Sequence, residues 1–346
     1  MHDAEPLPAG KLPANLLQRL LGTLVPDESV VVGPGVGRDA AVIRLGNRLL
    51  VLKTDPITFA TDEIGWYTVN VNANDLACMG ATPRWLLVSA LLPAGSTTEK
   101  IASQIFDDLR GACLALDVAL VGGHTEITPS VDRPILVGQM VGETTADRLI
   151  DPRRARAGDV VILARGIAIE GTSLLARELP AALLAGFDRA FLDRCRGFLH
   201  DPGISVLAAA EAIAGAVGAD LHALHDPTEG GLATGLRELG AASGLGIAVH
   251  RDAIAVYPET AVLCRALGLD PLGLIASGAL LAVVAPAAAE RALAALASVG
   301  IDAAAVGSLE PDPARQVLYT ATGDEPLPAF AVDEIARLFA ALDSGG

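Results

Sequence analysis

The sequence is poor in aromatic residues, in basic residues and in paired cysteines. Aromatics are only 3% of its 346 residues, so the apolar fraction of 51% comes mainly from Ala, Leu and Val, which is typical of a soluble α/β protein. With 41 acidic and 25 basic residues the net charge is −16, and this field opposes nonspecific binding to nucleic acid. The four cysteines form no CxxC pair, which argues against zinc and disulfide frameworks.

Long apolar runs are also missing. LLVSALLP and ALLAVVAPAAA are short and are broken by Ser or Pro, far from the roughly 20 residues that span a bilayer. Although the mean hydropathy is +0.46, we predict no transmembrane helix and no membrane partner. The start, MHDAEPLPAGK, lacks the basic and apolar regions of a secretory signal, so a cytoplasmic location is expected.

Hydrophobic periodicity predicts two α/β halves. The first has strands at LLVLKTDPI, RWLLVSALLP, VALVGGHTE and PILVGQMVGET, and helices over DEIGWYTVNVNANDLACMG and TTEKIASQIFDDLRGACLALD. The charged stretch at residues 151–159 is the predicted seam, which gives domains at 1–152 and 153–346. The second half has predicted strands at VVILARG, DLHALHDP, GIAVH and SGALLAVVAP, followed by a last strand pair and a helix near residues 332–342.

Two acidic residues of the first half stand beside turn signals. In VGPGVGRDAAVI, Gly35 and Gly37 let the backbone approach a ligand, and Asp39 stands at the entry to a strand. Asp55 in LKTDP follows a strand and precedes a proline. Either segment alone is also compatible with an ordinary turn, with Asp55 as its capping residue. Sites in α/β proteins nevertheless gather at such strand ends.

The helix over VNANDLACMG carries polar residues in an apolar setting. Asn70 and Asn74 are four residues apart and share a face, and Asp75 follows Asn74. Buried polar groups need partners, and a ligand is one kind of partner. Because magnesium prefers carboxylate and phosphate oxygens, aspartates from several segments indicate a Mg-nucleotide site.

GGHTEIT contributes a further polar group to the first half. Gly122 and Gly123 would let a phosphate come close, and His124 and Glu126 point to one face of a strand. A satisfied structural histidine is the alternative explanation.

HDPTEGGLATGLRELG adds an acidic residue and a helix start in the second half. Asp226, Thr228, Gly230 and Gly231 precede a helix whose free N–H groups would form an anion site. Ordinary N-capping by Thr228 would explain the same residues.

Six motifs in this order give a family resemblance. GRDAAV, KTDP, VNANDLACMGATP, GGHTEITP, HDPTEGGLATGLRELG and LGLDPLGLIASGALLAVV resemble the AIR synthetase superfamily, and most of all its hydrogenase-maturation branch, HypE. The resemblance covers residues 11–306. It implies an α/β (α+β) PurM-like two-domain fold, with an N-terminal sheet that forms a barrel across a homodimer and a C-terminal α/β domain. ATP and Mg2+ would bind in the cleft between the domains.

The resemblance also assigns residues. It implies that the metal ligands are Asp39, Asp55, Asp75 and Glu126, and that Arg38 stands where several relatives have a second acid. The implied nucleotide-binding residues are Gly35, Gly37, Asp39, Asp55, Asn74, Asp75, Gly122, Gly123, His124, Thr125, Asp226, Gly230 and Gly231.

The expected function is that of a HypE-like protein that uses Mg-ATP to activate an amide or acid oxygen of an unidentified acceptor. A small-molecule kinase similar to thiamine-monophosphate kinase is the enzymatic alternative, and a noncatalytic nucleotide-binding maturation partner is the third. HypE proteins carry an acceptor cysteine at the C-terminus, whereas no cysteine follows Cys264 in this sequence. Carbamoyl transfer to a thiol of this chain is therefore not expected.

Overall fold

The computed structural model describes Leu7 and residues 10–25, 27–35 and 38–344. The first half of the described chain contains the helices α1 (Ala14–Leu21), α2 (Ile64–Cys78) and α3 (Glu99–Ala115) and the strands β1 (Val30–Val32), β2 (Ala41–Leu45), β3 (Arg48–Ile57), β4 (Thr82–Pro93), β5 (Ala119–Thr128) and β6 (Ile135–Thr144). These strands form one sheet in the order β1-β2-β3-β6-β4-β5. Its edge strand β5 pairs only with β4, in parallel, within the described residues.

The second half contains a separate sheet. Its strands are β7 (Val160–Ala164), β8 (Leu221–His225), β9 (Gly246–His250), β10 (Leu280–Val284), β11 (Ala303–Glu310), β12 (Gln316–Thr320) and β13 (Gly323–Pro326). Its helices are α4 (Ile169–Glu178), α5 (Ala181–Leu184), α6 (Arg189–Gly197), α7 (Leu207–Val217), α8 (Gly231–Ser243), α9 (Pro258–Leu267), α10 (Ala289–Ser298) and α11 (Glu334–Ser344). The strand order is β13-β12-β9-β11-β7-β10-β8.

The predicted two-part α/β architecture is confirmed, with one error near the end of the chain. The sequence predicted a final strand pair, but three strands, β11 to β13, follow α10. Strand β13 consists of the residues GDEP and is exposed along its length, so it lacks the alternation of apolar residues that identifies a strand. It is held instead by antiparallel pairing with β12.

Helix α2 is the central element between the two halves. It is buried almost throughout because it packs on β3 and β6 on one side and on α7 and β8 on the other. The Asn74 amide donates to the carbonyl of Ile204 (2.8 Å) and accepts from the amide of Val206 (2.9 Å). On the other side, the Asp55 amide donates to Asn72 Oδ1 (3.0 Å). Helix α2 therefore fixes both sheets around the acidic residues described below.

One described stretch, Arg189–Asp220, is long and apolar enough to cross a membrane by length and composition alone. It is not one continuous helix, because Asp201 has extended dihedral angles (φ −141°, ψ 109°) between α6 and α7. Each of these two helices is well short of the roughly 20 residues that span a bilayer. Helix α7 packs against α10 and α2 within the fold.

Candidate functional site

A cleft between the two halves collects four aspartates from four elements. Asp39 precedes β2, Asp55 lies in β3, Asp75 lies in α2 and Asp226 directly follows β8. They line one small cavity of about 100 Å³ together with Lys53. The structure thus brings together the three aspartates that were predicted as metal ligands. It adds Asp226, which the sequence analysis assigned to the nucleotide.

Lys53 supplies a fixed cation inside this acidic cluster. Its Nζ lies 3.4 Å from Asp55 Oδ2 and 3.2 Å from Asp75 Oδ1. Burial disfavours the ammonium, but the carboxylates of Asp75 and Asp55 outweigh it and raise the pKa of Lys53. Sequence reasoning missed Lys53, although side chains two residues apart on a strand share a face. The two-residue spacing of Lys53 and Asp55 was therefore the signal that could have identified Lys53 as a site residue.

Two buried oxygens of the cluster have no hydrogen-bond partner among the described residues: Asp75 Oδ2 and Asp226 Oδ2. Burial raises the pKa of Asp75 well above its usual range and that of Asp226 to about 7, and neighbouring carboxylates add to both shifts. A divalent cation would partner both oxygens and stabilise the ionised forms. The donor set therefore fits Mg2+, which takes hard oxygen ligands.

Cys78 extends the cluster from α2. Possible ligand atoms of Asp39, Cys78 and Asp226 lie within 4.8 Å of one another, and the Cys78 thiol donates to Asp226 Oδ1 at 3.5 Å. Burial, helped by Asp226, raises the pKa of Cys78 well above its usual value. A neutral thiol is a poor ligand for magnesium, so Cys78 acts here as a hydrogen-bond donor that orients Asp226.

A chain of ionisable groups orients Asp39. Asp39 Oδ1 lies 2.7 Å from His225 Nδ1, His225 Nε2 lies 3.2 Å from Glu238 Oε2, and Glu238 pairs with Lys11 at 3.1 Å. Burial opposes a charge on His225, but Asp39 and Glu238 outweigh it and raise its pKa well above the usual value. His225 is therefore an imidazolium held between two carboxylates. Asp39 and Glu238 lie 186 and 13 residues from His225 in the sequence. The only sequence signal for the role of His225 was therefore its position next to Asp226.

A larger cavity of about 520 Å³ adjoins the acidic one, and both are lined by Lys11, Asp55 and Thr228. Its walls include Ile57 and Phe59. The volume lies within the range of pockets that hold small-molecule ligands. The cleft thus combines a small charged compartment with a roomier, partly apolar one.

The predicted residues of β5 lie elsewhere in the single chain. Gly122, Gly123, His124 and Thr125 line a cavity on the exposed edge strand, three strand spacings, or roughly 14 Å, from β3. His124 Nε2 lies 3.0 Å from Glu126 Oε2, and both side chains are exposed. One chain does not bring these residues to the acidic cleft, and their assignment to the nucleotide and the metal stays a prediction.

The start of helix α8, where the sequence predicts an anion site, has one backbone amide that is paired within the chain. Gly230 (φ +81°) and Gly231 (φ +66°) have the left-handed backbone that glycine tolerates. The amide of Gly230, however, donates to Asp333 Oδ2 at 2.6 Å. A carboxylate of the chain itself therefore binds the amide of Gly230 in this structure, and the assignment of Gly230 and Gly231 to the nucleotide stays a prediction.

Two other predicted residues also have structural explanations. Asn74 uses both polar ends of its amide to bind the backbone at Ile204 and Val206, so it joins the two halves. Gly35 lies close to the side chain of Arg38, which donates to the carbonyl of Gly33 at 2.9 Å and lines the acidic cavity. Gly37 lies outside the described residues.

The fold and the acidic cleft define an α/β protein of the AIR synthase class, and family models agree. The N-terminal domain of AIR synthase related proteins matches residues 37–144, and the C-terminal domain matches residues 156–319. The chain belongs to this family.

Within the family the chain is similar to hydrogenase-maturation proteins. It is 30% identical over 294 residues to the carbamoyl dehydratase HypE of Cupriavidus necator, covering 83% of this chain and 79% of the relative. The crystal structure of a HypE in complex with ATP matches with a TM-score of 0.70 and 28% identity, over 90% of this chain and 89% of that one. A thiamine-monophosphate kinase of Aquifex aeolicus shares the fold (TM-score 0.64, 18% identity, 90% and 97% covered).

Proposed function

We propose that the protein is a HypE-like ATP-binding protein that uses Mg-ATP to activate an amide or acid oxygen of an acceptor. The observation that carries this proposal is the pair of unpartnered buried oxygens, on Asp75 and Asp226, in a cavity that opens beside a ligand-sized one. The ATP complex of a relative that is 28% identical supports nucleotide binding. The carbamoyl dehydratase names of the relatives support an acceptor with a carbamoyl-type group.

In this proposal Asp39, Asp55, Asp75 and Asp226, which line the same cavity, would hold the magnesium ion. When bound, the metal neutralises phosphate charge. Lys53 pairs with both Asp55 and Asp75. It thereby reduces the net negative charge of the acidic cavity, which would otherwise repel a polyphosphate. The chain supplies positioning and electrostatics rather than a covalent nucleophile.

A small-molecule kinase would use the same residues and differs only in its acceptor. The shared fold of the thiamine-monophosphate kinase supports this second candidate. ATP turnover stimulated by a small molecule would favour either enzyme. Tight nucleotide binding without turnover would favour a noncatalytic maturation partner.

The nucleotide site is tested by thermal unfolding with ATP, with Mg2+, and with both together. We expect a higher melting temperature with ATP only when Mg2+ is present, because a ligand that binds the native state stabilises it by mass action. Asp75→Asn should lose this increment, since the asparagine amide has only one oxygen, which carries no negative charge, in place of the two carboxylate oxygens of Asp75.

Asp107→Asn, an exposed change on α3, is the matched control and should keep the full increment. If Asp75→Asn keeps it as well, Asp75 is not part of the site. If the wild-type protein shows no shift with Mg-ATP, the proposed function itself is wrong.

A further inference from the structure

A buried thiol joins two carboxylates of the acidic cavity in one compact group. Asp39 and Asp226 line the cavity, and Cys78 contacts Asp226 from α2. One possible ligand atom of each residue lies within 4.8 Å of those of the other two. Within the part of the chain that the structure describes, no other group of three His, Cys, Asp or Glu side chains is as compact. The group includes sulfur, which magnesium does not use as a ligand, so it suits a different cation.

The distance between the thiol and Asp226 suits one cation bound by both. Cys78 Sγ lies 3.5 Å from Asp226 Oδ1. Zinc bonds to sulfur at about 2.3 Å and to oxygen at about 2.0 Å, and at a tetrahedral angle these two bonds place the ligand atoms about 3.5 Å apart. A Zn2+ ion would therefore fit between the two side chains with little movement of either. The hydrogen bond that now joins them would be replaced by two bonds to the ion.

Both carboxylates keep an oxygen for such an ion. Asp39 Oδ1 is hydrogen-bonded to His225 Nδ1 at 2.7 Å, which leaves Oδ2 for the cation. Asp226 is 2% exposed, and its Oδ2 has no hydrogen-bond partner among the described residues. Because an unpartnered buried oxygen is unfavourable, it points to a ligand independently of the thiol. His225 in turn orients Asp39, as the hydrogen-bond partners of metal ligands do.

Neighbouring cations balance the charge of the group. Two carboxylates and a thiolate bring three negative charges, and a divalent cation leaves one of them. The His225 imidazolium lies against Asp39, and Lys53 lines the same cavity. When the sulfur–metal bond forms, the thiol proton is released to solvent. The ion would thus enter surroundings that already carry compensating positive charge.

Sulfur decides which cation can use this position. Magnesium requires hard oxygen ligands in octahedral geometry, whereas Zn2+ combines thiolate with carboxylate and needs only four ligands. The chain supplies three of these, and a water molecule or a phosphate oxygen in the cavity would supply the fourth. The three residues come from separate segments. The spacing of the cysteines, which argues against a CxxC zinc framework, therefore could not reveal them.

We propose that the acidic cavity has a second metal position, in which Asp39, Cys78 and Asp226 bind a thiophilic divalent cation of the Zn2+ type and thereby exclude Mg2+. The two metals exclude each other because both positions use Asp39 and Asp226. Zinc would therefore inhibit the binding of Mg-ATP. This exclusion rests on the proposed function, whereas the zinc position itself rests on the geometry of the three side chains.

The test uses Co2+ as a coloured substitute for Zn2+ in the full chain. A Co2+ ion bound by a thiolate gives a charge-transfer band in the near ultraviolet, which carboxylate and imidazole ligands do not give. We expect this band to saturate at one ion per chain and to disappear when Zn2+ displaces Co2+, since Zn2+ prefers such a site. A metal-ion buffer then fixes the free Co2+ concentration. The concentration that half-saturates the band should rise when Mg-ATP is added.

Cys78→Ser removes the thiolate but keeps a hydrogen-bond donor toward Asp226, and it should lose the band. Cys113→Ser is the matched control, because Cys113 is also a buried cysteine but lies on α3; it should keep the band. Asp226→Asn provides a second variant in case Cys78→Ser does not fold. It should weaken Co2+ binding at least about tenfold, since even the loss of a group that only orients a metal ligand has that effect.

Three results would overturn the inference: no charge-transfer band in the wild type, a band retained in folded Cys78→Ser, or half-saturation by Co2+ that Mg-ATP leaves unchanged although it raises the melting temperature. Each of them leaves the Mg-ATP shift, and with it the proposed function, intact. A wild-type protein that shows the band but no Mg-ATP shift would instead contradict the proposed function and retain the zinc position.

Discussion

At the scale of single residues, Lys53 is the clearest departure from a site built of carboxylates and metal alone. An ammonium between Asp55 and Asp75 takes a place where a second cation could otherwise bind. Lys53→Met should therefore lower the stability of the unliganded protein, because it leaves these carboxylates close together without a counter-charge. The same change should let Mg2+ alone, without nucleotide, stabilise the variant more than the wild type.

Thermal unfolding across a magnesium titration measures this difference. Lys100→Met, an exposed change on α3, is the control and should respond to Mg2+ as the wild type does. An identical response of Lys53→Met would show that Lys53 does not compete with a metal.

The four cysteines give a second prediction at this scale. All of them are buried, and burial raises the pKa of Cys113 to about 11 and those of Cys195 and Cys264 to about 12, while Cys78 is also shifted far upward. Since the thiolate is the nucleophile, none of these groups is reactive at neutral pH. Incubation with carbamoyl phosphate, ATP and a carbamoyl-transfer partner should leave the intact mass of the protein unchanged.

A thiol reagent added before and after unfolding in urea is the control, and the cysteines should react only in the unfolded chain. A carbamoyl or cyano adduct on any cysteine of the folded protein would contradict the prediction. The chain would then use an internal acceptor thiol.

At the scale of elements, β5 is a long strand with an open edge. Its apolar residues Leu120, Val121 and Ile127 are 37%, 55% and 62% exposed, and a cavity of about 430 Å³ lies between it and α3. Open apolar edges invite pairing with another chain. We expect a homodimer through this edge, and Val121→Lys should weaken it by placing a charge in the interface.

Light scattering at micromolar concentration tests the dimer. Val299→Lys changes a similarly exposed valine of the second half and should leave the oligomeric state unchanged. A wild-type monomer that still binds Mg-ATP would rule out a role for the dimer in nucleotide binding.

The elements also show which parts of the fold and of the site can be predicted from the sequence. Strand β3, helix α2 and the aspartates they carry were predictable, because strand and helix periodicities are local signals. The pairing of Asp39 with His225 and of Gly230 with Asp333 was not, since these partners are 186 and 103 residues apart. The place of β5 at the sheet edge was equally hidden, because no local pattern states that β6 lies between β3 and β4. His124 and Glu126 were therefore grouped with residues that one chain keeps apart.

At the scale of the whole molecule, buried acids make stability depend on pH in an unusual direction. The pKa of Glu170 is about 8 instead of 4.5, and that of Asp333 is about 6 instead of 3.8, with burial as the main cause of both. At pH values between the ordinary and the raised pKa of each acid, the folded chain binds more protons than the unfolded chain. The contribution of these two acids to stability is therefore fully present below about pH 4 and is lost as pH rises toward 8. Glu238, with a pKa lowered to about 2, loses its contribution only in acid and does not oppose this trend.

Unfolding in urea between pH 5 and pH 9 should show the trend in the protein without metal. The expected slope is about 1.4 kcal/mol per pH unit for each proton difference. Glu170→Gln removes the largest of these differences, because the amide stays neutral at every pH. It should be close to the wild type at pH 5 and more stable at pH 8, whereas Glu178→Gln should follow the wild-type curve. Parallel curves for the wild type and Glu170→Gln would mean that Glu170 is ionised in the folded protein, and the cavity it lines would then favour a cationic ligand.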